Sequence, residues 1–305
     1  MAEPTAERTS QLLTTLLGDY WFTTTEHVPS AAIAALLAEF GVGAEATRAA
    51  LSRSSRRGRL EGVRSGRTTA YRLAPGVRER AVALSRSLMG FGAAPVEWDG
   101  MWTCVAFSVP EADRPRRLAL RRRLRELGFG VLFDGLWISP RAPVAEVDAA
   151  LAELGIATAA VLRVTEVARP GGVDLLSAWD LEALRHRYDG FLATVRLVVG
   201  PRLAAGEIGS AEALVTRTEV LAGWRDLVTH DPGLPDELLP AAWPRAEARR
   251  CFVEVYDGLG PLAEARVHQL VAPHPATPPP GHHRVADILA LDARGDQSRR
   301  RSSLR

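Results

Sequence analysis

Arginine side chains are concentrated between residues 44 and 73, in the stretch AEATRAALSRSSRRGRLEGVRSGRTTAYRL. It contains eight arginines but only two acidic residues, Glu45 and Glu61, whereas the whole chain has a net charge of only +2. The eight are Arg48, Arg53, Arg56, Arg57, Arg59, Arg64, Arg67 and Arg72. Guanidinium groups gathered in this way attract a polyanion, because each one that meets a phosphate releases condensed counterions. The cluster predicts a nucleic-acid-binding surface; the simpler alternative is a solvated basic helix face.

The spacing within this stretch gives one helix two different faces. At about 100° per residue, one side gathers small or apolar residues, namely Thr47, Ala50, Leu51 and Ser54. The other side carries a polar stripe formed by Arg48, Ser52 and Arg56, flanked by Arg53. Small buried residues let the helix lie close to a supporting helix while the stripe faces outward.

A helix is also predicted before this one. Ser30 is a candidate N-cap for the run AAIAALLAEF, and Gly41 suits a left-handed C-cap. A helix, a glycine-bearing turn and a basic second helix form the helix-turn-helix pattern, whose second helix enters the DNA major groove. Alanine-rich helical hairpins that do not bind DNA share this pattern.

A β-hairpin is predicted to follow the basic helix. Residues 59–64 and 67–73 flank the pair Ser65-Gly66, which suits a tight two-residue turn. Arg64 and Arg67 would lie beside the tip, within reach of a phosphate, while Tyr71 and Leu73 would face the helices. The combination predicts a winged helix-turn-helix.

The remaining sequence predicts an α+β protein with three domains. A winged helix-turn-helix at residues 1–75 is followed by a connecting helix and linker at 76–95. Residues 96–170 show the order strand, helix, strand, strand, helix, strand of a ferredoxin-like domain. Residues 171–271 predict an all-helical domain, and the proline-rich, then basic, residues 272–305 predict a disordered tail.

The composition excludes several classes of protein. No apolar run approaches the roughly 18 residues of a membrane span, and the N-terminus lacks a signal-peptide core, so a cytoplasmic location is expected. The two cysteines, Cys104 and Cys251, give neither a zinc site nor a disulfide framework. The histidines show no metal-ligand spacing. We therefore expect no metal, no catalytic residue and no cofactor.

Several blocks of the sequence together resemble the PaaX family of bacterial transcriptional repressors. These blocks are LLTTLLGDYWF, ATRAALSRSSRRGRL, WDGMWTCVAFSVPE, RRRLRELGFGVLFDGLWISPR, AWDLEALRHRYDGF and LPDELLPAAWPRAEARRCFVEVY. They run in order from about residue 11 to residue 256. The block GFGVLFDGLWISPR is the most specific of them.

The resemblance implies a homodimeric repressor of an aromatic-acid (phenylacetate) catabolic operon, with a Cas2-like central domain. It also implies release from the DNA operator by an acyl-CoA effector, phenylacetyl-CoA or a related thioester. No phosphate-cradling motif in the sequence identifies that ligand independently. We expect an apolar effector pocket between the central and helical domains near Trp137, Trp179 and Trp224, although tryptophans at such spacing are more often core residues.

The predicted DNA contacts divide into two groups. Arg48 and Ser52 are the candidates for reading bases. The remaining candidates are Thr47, Arg53, Arg56, Arg57, Arg64 and Arg67, of which the arginines would chiefly hold phosphates.

Two enzymatic alternatives lack the residues that they need. A Cas2-like metal-dependent nuclease would need an acidic residue at the end of its first strand, but VAFSVP ends in Ser108 and Val109, with Glu111 and Asp113 only in the following loop. An enzyme that acts on acyl-CoA would need a nucleophile motif, and none is present.

Overall fold

The computed structural model describes residues 5–21, 24–65, 68–141, 143–165, 172–274 and 276–291. The chain forms two compact units. The first combines Met1–Phe91, Phe191–Arg225 and Glu247–Arg305, and the second combines Gly92–Gly190 with Asp226–Ala246. By spatial contact, therefore, parts of the predicted helical domain 171–271 group with the N-terminal residues.

The first unit begins with three helices and a small antiparallel sheet. The helices are α1 (Ala6–Tyr20), α2 (Ser30–Ala38) and α3 (Ala44–Arg56). The strands are β1 (Val28–Pro29), β2 (Leu60–Ser65) and β3 (Thr68–Leu73), in the order β1-β3-β2. Helix, short turn, helix and hairpin therefore follow one another as the sequence predicts. Gly41, between α2 and α3, has a φ of 73°, which confirms the predicted left-handed position.

Two local predictions in this region are wrong. Ser30 is the first residue of α2, and the N-cap position belongs to Pro29, which offers no side-chain cap. In the hairpin, Ser65 pairs with Thr68 and so belongs to a strand instead of the turn. Gly66 and Arg67, which lie between these two residues, are outside the described residues.

Outside residues 92–165 the chain forms further helices, and the parts of them that belong to the first unit bury a core of aromatic side chains. These helices are α4 (Pro75–Gly90), α7 (Leu181–Thr194), a π-helical turn (Val195–Val199), α8 (Gly200–Ala204), α9 (Ser210–His230), α10 (Arg245–Val271) and α11 (Val285–Leu289). Trp224 stacks on Phe252 with ring centroids 4.8 Å apart, and its indole Nε1 donates a hydrogen bond of 2.8 Å to the Leu88 carbonyl. This core joins α4 to α9 and α10.

Residues 276–291 are ordered, contrary to the prediction of a disordered tail from residue 272. Trp21 Nε1 donates to the carbonyl of Pro278 over 2.9 Å, and the Gly281 amide donates to the carbonyl of Tyr20 over 3.1 Å. Val285 and Ile288 of α11 are buried. Residues 292–305, which belong to the same prediction, lie outside the described residues.

The second unit contains the predicted ferredoxin-like arrangement. Its strands are β4 (Trp102–Phe107), β5 (Gly130–Phe133), β6 (Leu136–Ser139) and β7 (Ala159–Val164), and its helices are α5 (Arg114–Glu126) and α6 (Val144–Glu153). All pairings are antiparallel in the order β5-β6-β4-β7. Both helices pack on one sheet face, through Leu120, Leu124, Val147 and Leu151. The predicted α+β fold class is confirmed.

Candidate nucleic-acid interface

Helix α3 buries the face that its sequence predicts. Its buried residues are Thr47, Ala50, Leu51 and Ser54. Arg48, Ser52 and Arg56 are exposed on the opposite side. Arg48 and Arg56 form no ion pair with any residue that the structure describes, so their charge is available to an external anion. Arg53 and Arg56 also lie in the last turn, where cations complement the helix dipole.

Thr47 was a wrong prediction as a DNA contact. Its exposed fraction is only 2%, because it shares the buried side of α3 with Ala50 and Leu51. At that position it supports the helix from within the protein. The candidates on the exposed face of this helix are therefore Arg48, Ser52 and Arg56, with the exposed Glu45 at the N-terminal end of the same face.

The other arginines of the cluster have different surroundings. Arg53 is half-buried and donates to the Ala6 carbonyl over 3.3 Å. Arg57 and Arg64 are exposed, at the end of α3 and on β2 respectively. Arg72 forms a 2.8 Å ion pair with Glu61, which removes it from the cluster as a free cation. Arg67 lies outside the described residues.

The three tryptophans proposed for an effector pocket each pack in a different group of side chains. Trp137 is fully buried in the core between the second unit's sheet and its helices. Trp179 packs on the opposite face of that sheet, stacked against Trp102 with ring centroids 6.2 Å apart. Trp224 is fully buried in the aromatic core of the first unit. The core interpretation of Trp137 and Trp224 therefore holds, because neither side chain is exposed to line an open pocket.

A cavity that sequence reasoning missed lies beside the arginine cluster. It has a volume of about 940 Å³ and belongs to the first unit. Helices α1 and α4 supply most of its walls. Its charged lining residues are Glu7, Asp19, Arg53, Arg57, Arg59, Arg80 and Arg225. No local pattern could reveal it, because Arg225 is far from the cluster in sequence.

The arrangement does not favour a metal-dependent nuclease. Asp113 follows the first strand of the second unit but is paired with Arg116 over 3.4 Å, and the side chain of Glu111 is outside the described residues. Within the described ranges, no group of three or more histidine, cysteine, aspartate or glutamate side chains is placed to hold a metal ion. No helix in those ranges is long and apolar enough to cross a membrane.

Comparisons with known proteins cover most of the chain. Residues 8–77 match the family profile described as PaaX-like protein, residues 95–174 match the PaaX protein central Cas2-like domain, and residues 179–269 match the PaaX-like protein C-terminal domain. The transcriptional repressor PaaX of Escherichia coli (strain K12) is 29% identical over 271 residues, which are 85% of this chain and 83% of the relative.

A solved structure shares the fold. The uncharacterized protein Rv0674 from Mycobacterium tuberculosis superposes with a TM-score of 0.56 at 24% identity, covering 84% of this chain and 97% of its own. All three family profiles match in the expected order, and the Escherichia coli relative matches 85% of the chain. The chain belongs to the PaaX family.

Proposed function

We propose that the protein is a DNA-binding transcriptional regulator that uses α3 and the β2–β3 hairpin as a winged helix-turn-helix. The observation that carries this proposal is the outward polar stripe of Arg48, Ser52 and Arg56, whose arginines have no carboxylate partner among the described residues. A basic helix of this kind fits the major groove, and the adjoining hairpin can contact the backbone. As a regulator of chromosomal genes, the protein would act in the cytoplasm.

The exposed residues divide into two roles. Arg48 and Ser52 lie on the N-terminal half of α3, the part of a recognition helix that contacts base edges. Arg53, Arg56, Arg57, Arg64 and Arg67 are assigned to the phosphate backbone. Base contacts determine which sequence is bound, whereas phosphate contacts determine affinity and its dependence on salt.

The experiment is a titration of Arg48→Ala and Arg64→Ala against the DNA upstream of the gene and a scrambled duplex, over a series of salt concentrations. Arg48→Ala is expected to cost about 1–3 kcal/mol on the specific duplex only, and Arg64→Ala to weaken both duplexes and lower the salt slope by about one unit. Arg250→Ala is the control, because Arg250 is exposed on α10. If both test variants bind both duplexes as the wild type does, the assignment of Arg48 to bases and of Arg64 to phosphates is wrong.

We further propose that the protein is a homodimeric repressor of an aromatic-acid catabolic operon and that an aryl acyl-CoA thioester, phenylacetyl-CoA or a related compound, releases it from its operator. The name of the Escherichia coli relative, a transcriptional repressor, supports repression. A ligand releases DNA only if it binds the DNA-free state more tightly than the bound state. The test adds phenylacetyl-CoA to the protein–DNA complex and follows dissociation, with free phenylacetate as the control.

A further inference from the structure

The cavity beside α3 has an excess of positive charge. Five arginines line it, against the two carboxylates of Glu7 and Asp19. Asp19 is already paired with the buried Arg217 and accepts a hydrogen bond of 2.7 Å from the Tyr256 hydroxyl. Little negative charge therefore remains within the cavity to balance the arginines.

The arginines enter the cavity from several elements of the first unit. Arg53 comes from α3, Arg57 and Arg59 from the segment that leads into β2, Arg80 from α4 and Arg225 from α9. Arg57, Arg59 and Arg80 form no ion pair with the described residues. Burial lowers the pKa of Arg225, although Asp19 and Tyr256 oppose the effect. Within this cavity an anion would be stabilised from several directions.

A second part of the cavity wall is apolar. On α4, Val77, Ala81 and Leu84 follow one another at helical spacing and line the cavity together. Leu84 is 50% exposed, so a ligand in the cavity would find an accessible aliphatic side chain to contact. Leu221 and Ile288 extend this surface from α9 and α11.

The volume is suited to a ligand larger than a single phosphate. About 940 Å³ lies at the upper end of the range for small-molecule and cofactor pockets, roughly 300–1,000 Å³. Several guanidinium groups suit a ligand with more than one phosphate, because each can form charge-assisted hydrogen bonds to phosphate oxygens. The apolar wall of α4 suits a ligand that also carries an apolar group.

We infer that this cavity is the effector site and that it binds a small ligand bearing several phosphates and an apolar group. The inference rests on the proposed function, because the aryl acyl-CoA effector proposed there carries both several phosphates and an apolar group. Arg53 and Arg57 line the cavity and are also candidate phosphate contacts for DNA. A phosphorylated ligand in the cavity competes with the DNA backbone for the same guanidinium groups, which gives the differential affinity that release requires.

The test measures the binding of coenzyme A and phenylacetyl-CoA to the full-length chain by calorimetry. Arg80→Glu is expected to weaken the binding of both probes at least about tenfold, because it removes one charge-assisted contact and adds a repulsive charge. The matched control is Arg250→Glu, which reverses the charge of another exposed arginine of the same unit. Leu84→Ala is expected to weaken phenylacetyl-CoA about fivefold and to leave coenzyme A unchanged. If Arg80→Glu fails to fold, Arg80→Gln provides the same comparison.

Three results would overturn the inference: no binding of either probe to the wild type, equal binding by wild type and the Arg80 variant, or equal losses in the Arg80 and Arg250 variants. Should Arg80→Glu weaken every DNA duplex but neither probe, the cavity would hold backbone phosphates of DNA instead. Failure of the proposed regulatory function is measured separately, as the absence of sequence-specific DNA binding by the ligand-free wild type. If phenylacetyl-CoA releases DNA from Arg80→Glu as readily as from the wild type, the regulatory function stands but the effector binds at another site.

Discussion

Asp19 connects the first helix of the protein to its C-terminal helices. Its carboxylate pairs with the guanidinium of Arg217 on α9 and accepts a hydrogen bond from Tyr256 on α10. Arg217 is fully buried; burial by itself would lower its pKa, but the charge of Asp19 raises it above its ordinary value. The guanidinium also lies 3.8 Å from the Tyr256 ring centroid. These contacts fix α1, which supports α3, on the rest of the first unit.

Breaking this buried ion pair is expected to be strongly destabilising. Asp19→Asn keeps the shape of the side chain but leaves the Arg217 charge uncompensated, which typically costs about 3–5 kcal/mol. Urea denaturation of the variant and the wild type measures the difference. Glu212→Gln is the control, because the pair between Glu212 and Arg202 is exposed to solvent and its loss should leave the free energy of unfolding nearly unchanged. Equal stability of Asp19→Asn and the wild type would contradict this account.

At the level of elements, sequence predictions succeed where the stabilising interactions lie within one segment and fail where they join segments distant in sequence. The two faces of α3 could be predicted because helical periodicity lies within one continuous segment. The hairpin could also be predicted, but not that Ser65 belongs to strand β2. Pairing within the sheet joins separate segments, as where Val28 of the distant strand β1 lies opposite Tyr71 of β3, and no local pattern contains it. The cavity combines residues from separate helices, and no local pattern could identify it.

The ordered segment 276–291 was missed for a related reason. Apolar residues at helical spacing are confined to its short helix α11, and hydrogen bonds to the distant residues Tyr20 and Trp21 hold the preceding residues in place. Within it, burial lowers the pKa of His283, an effect that Asp19 opposes. Asp287 also opposes it, whereas Arg217 and His282 reinforce it. The folded segment therefore favours the neutral imidazole.

This preference predicts that acid loosens the segment. Because the pKa of His283 in the folded state lies below its ordinary value of 6.5, its contribution to stability is complete above that pH and is lost as the pH falls through the folded-state pKa. The amide of Gly281, which donates to Tyr20, should lose protection against hydrogen exchange between neutral and acidic pH. His283→Gln should remove this pH dependence, and His186→Gln, a surface substitution, should retain it. An unchanged pH profile in His283→Gln would exclude His283 as the cause.

At the scale of the whole molecule, the distribution of charge and the composition of the first unit both support ligand-controlled DNA binding. The net charge is only +2, so attraction to DNA depends on where the arginines lie more than on the total. The candidate DNA-binding elements and the cavity belong to one compact unit, which also contains most of the C-terminal helices. A ligand in that cavity can therefore act on α3 within the same unit.

The proposed homodimer determines how the operator must be built. Two recognition helices related by a dimer axis bind half-sites separated by about 10.5 base pairs or a multiple of that spacing, so that both face the same side of the duplex. Inserting about 5 base pairs between the half-sites turns one of them to the opposite side, and affinity is expected to fall to that of a single half-site. Inserting about 10 base pairs returns both half-sites to the same side of the duplex, and part of the lost affinity should be regained. Gel-shift titrations measure these affinities, with the shorter insertion placed outside the half-sites as the control. Affinity that is independent of the spacing would mean that each protomer binds DNA alone, since only a coupled pair of recognition helices responds to the helical phase between its half-sites.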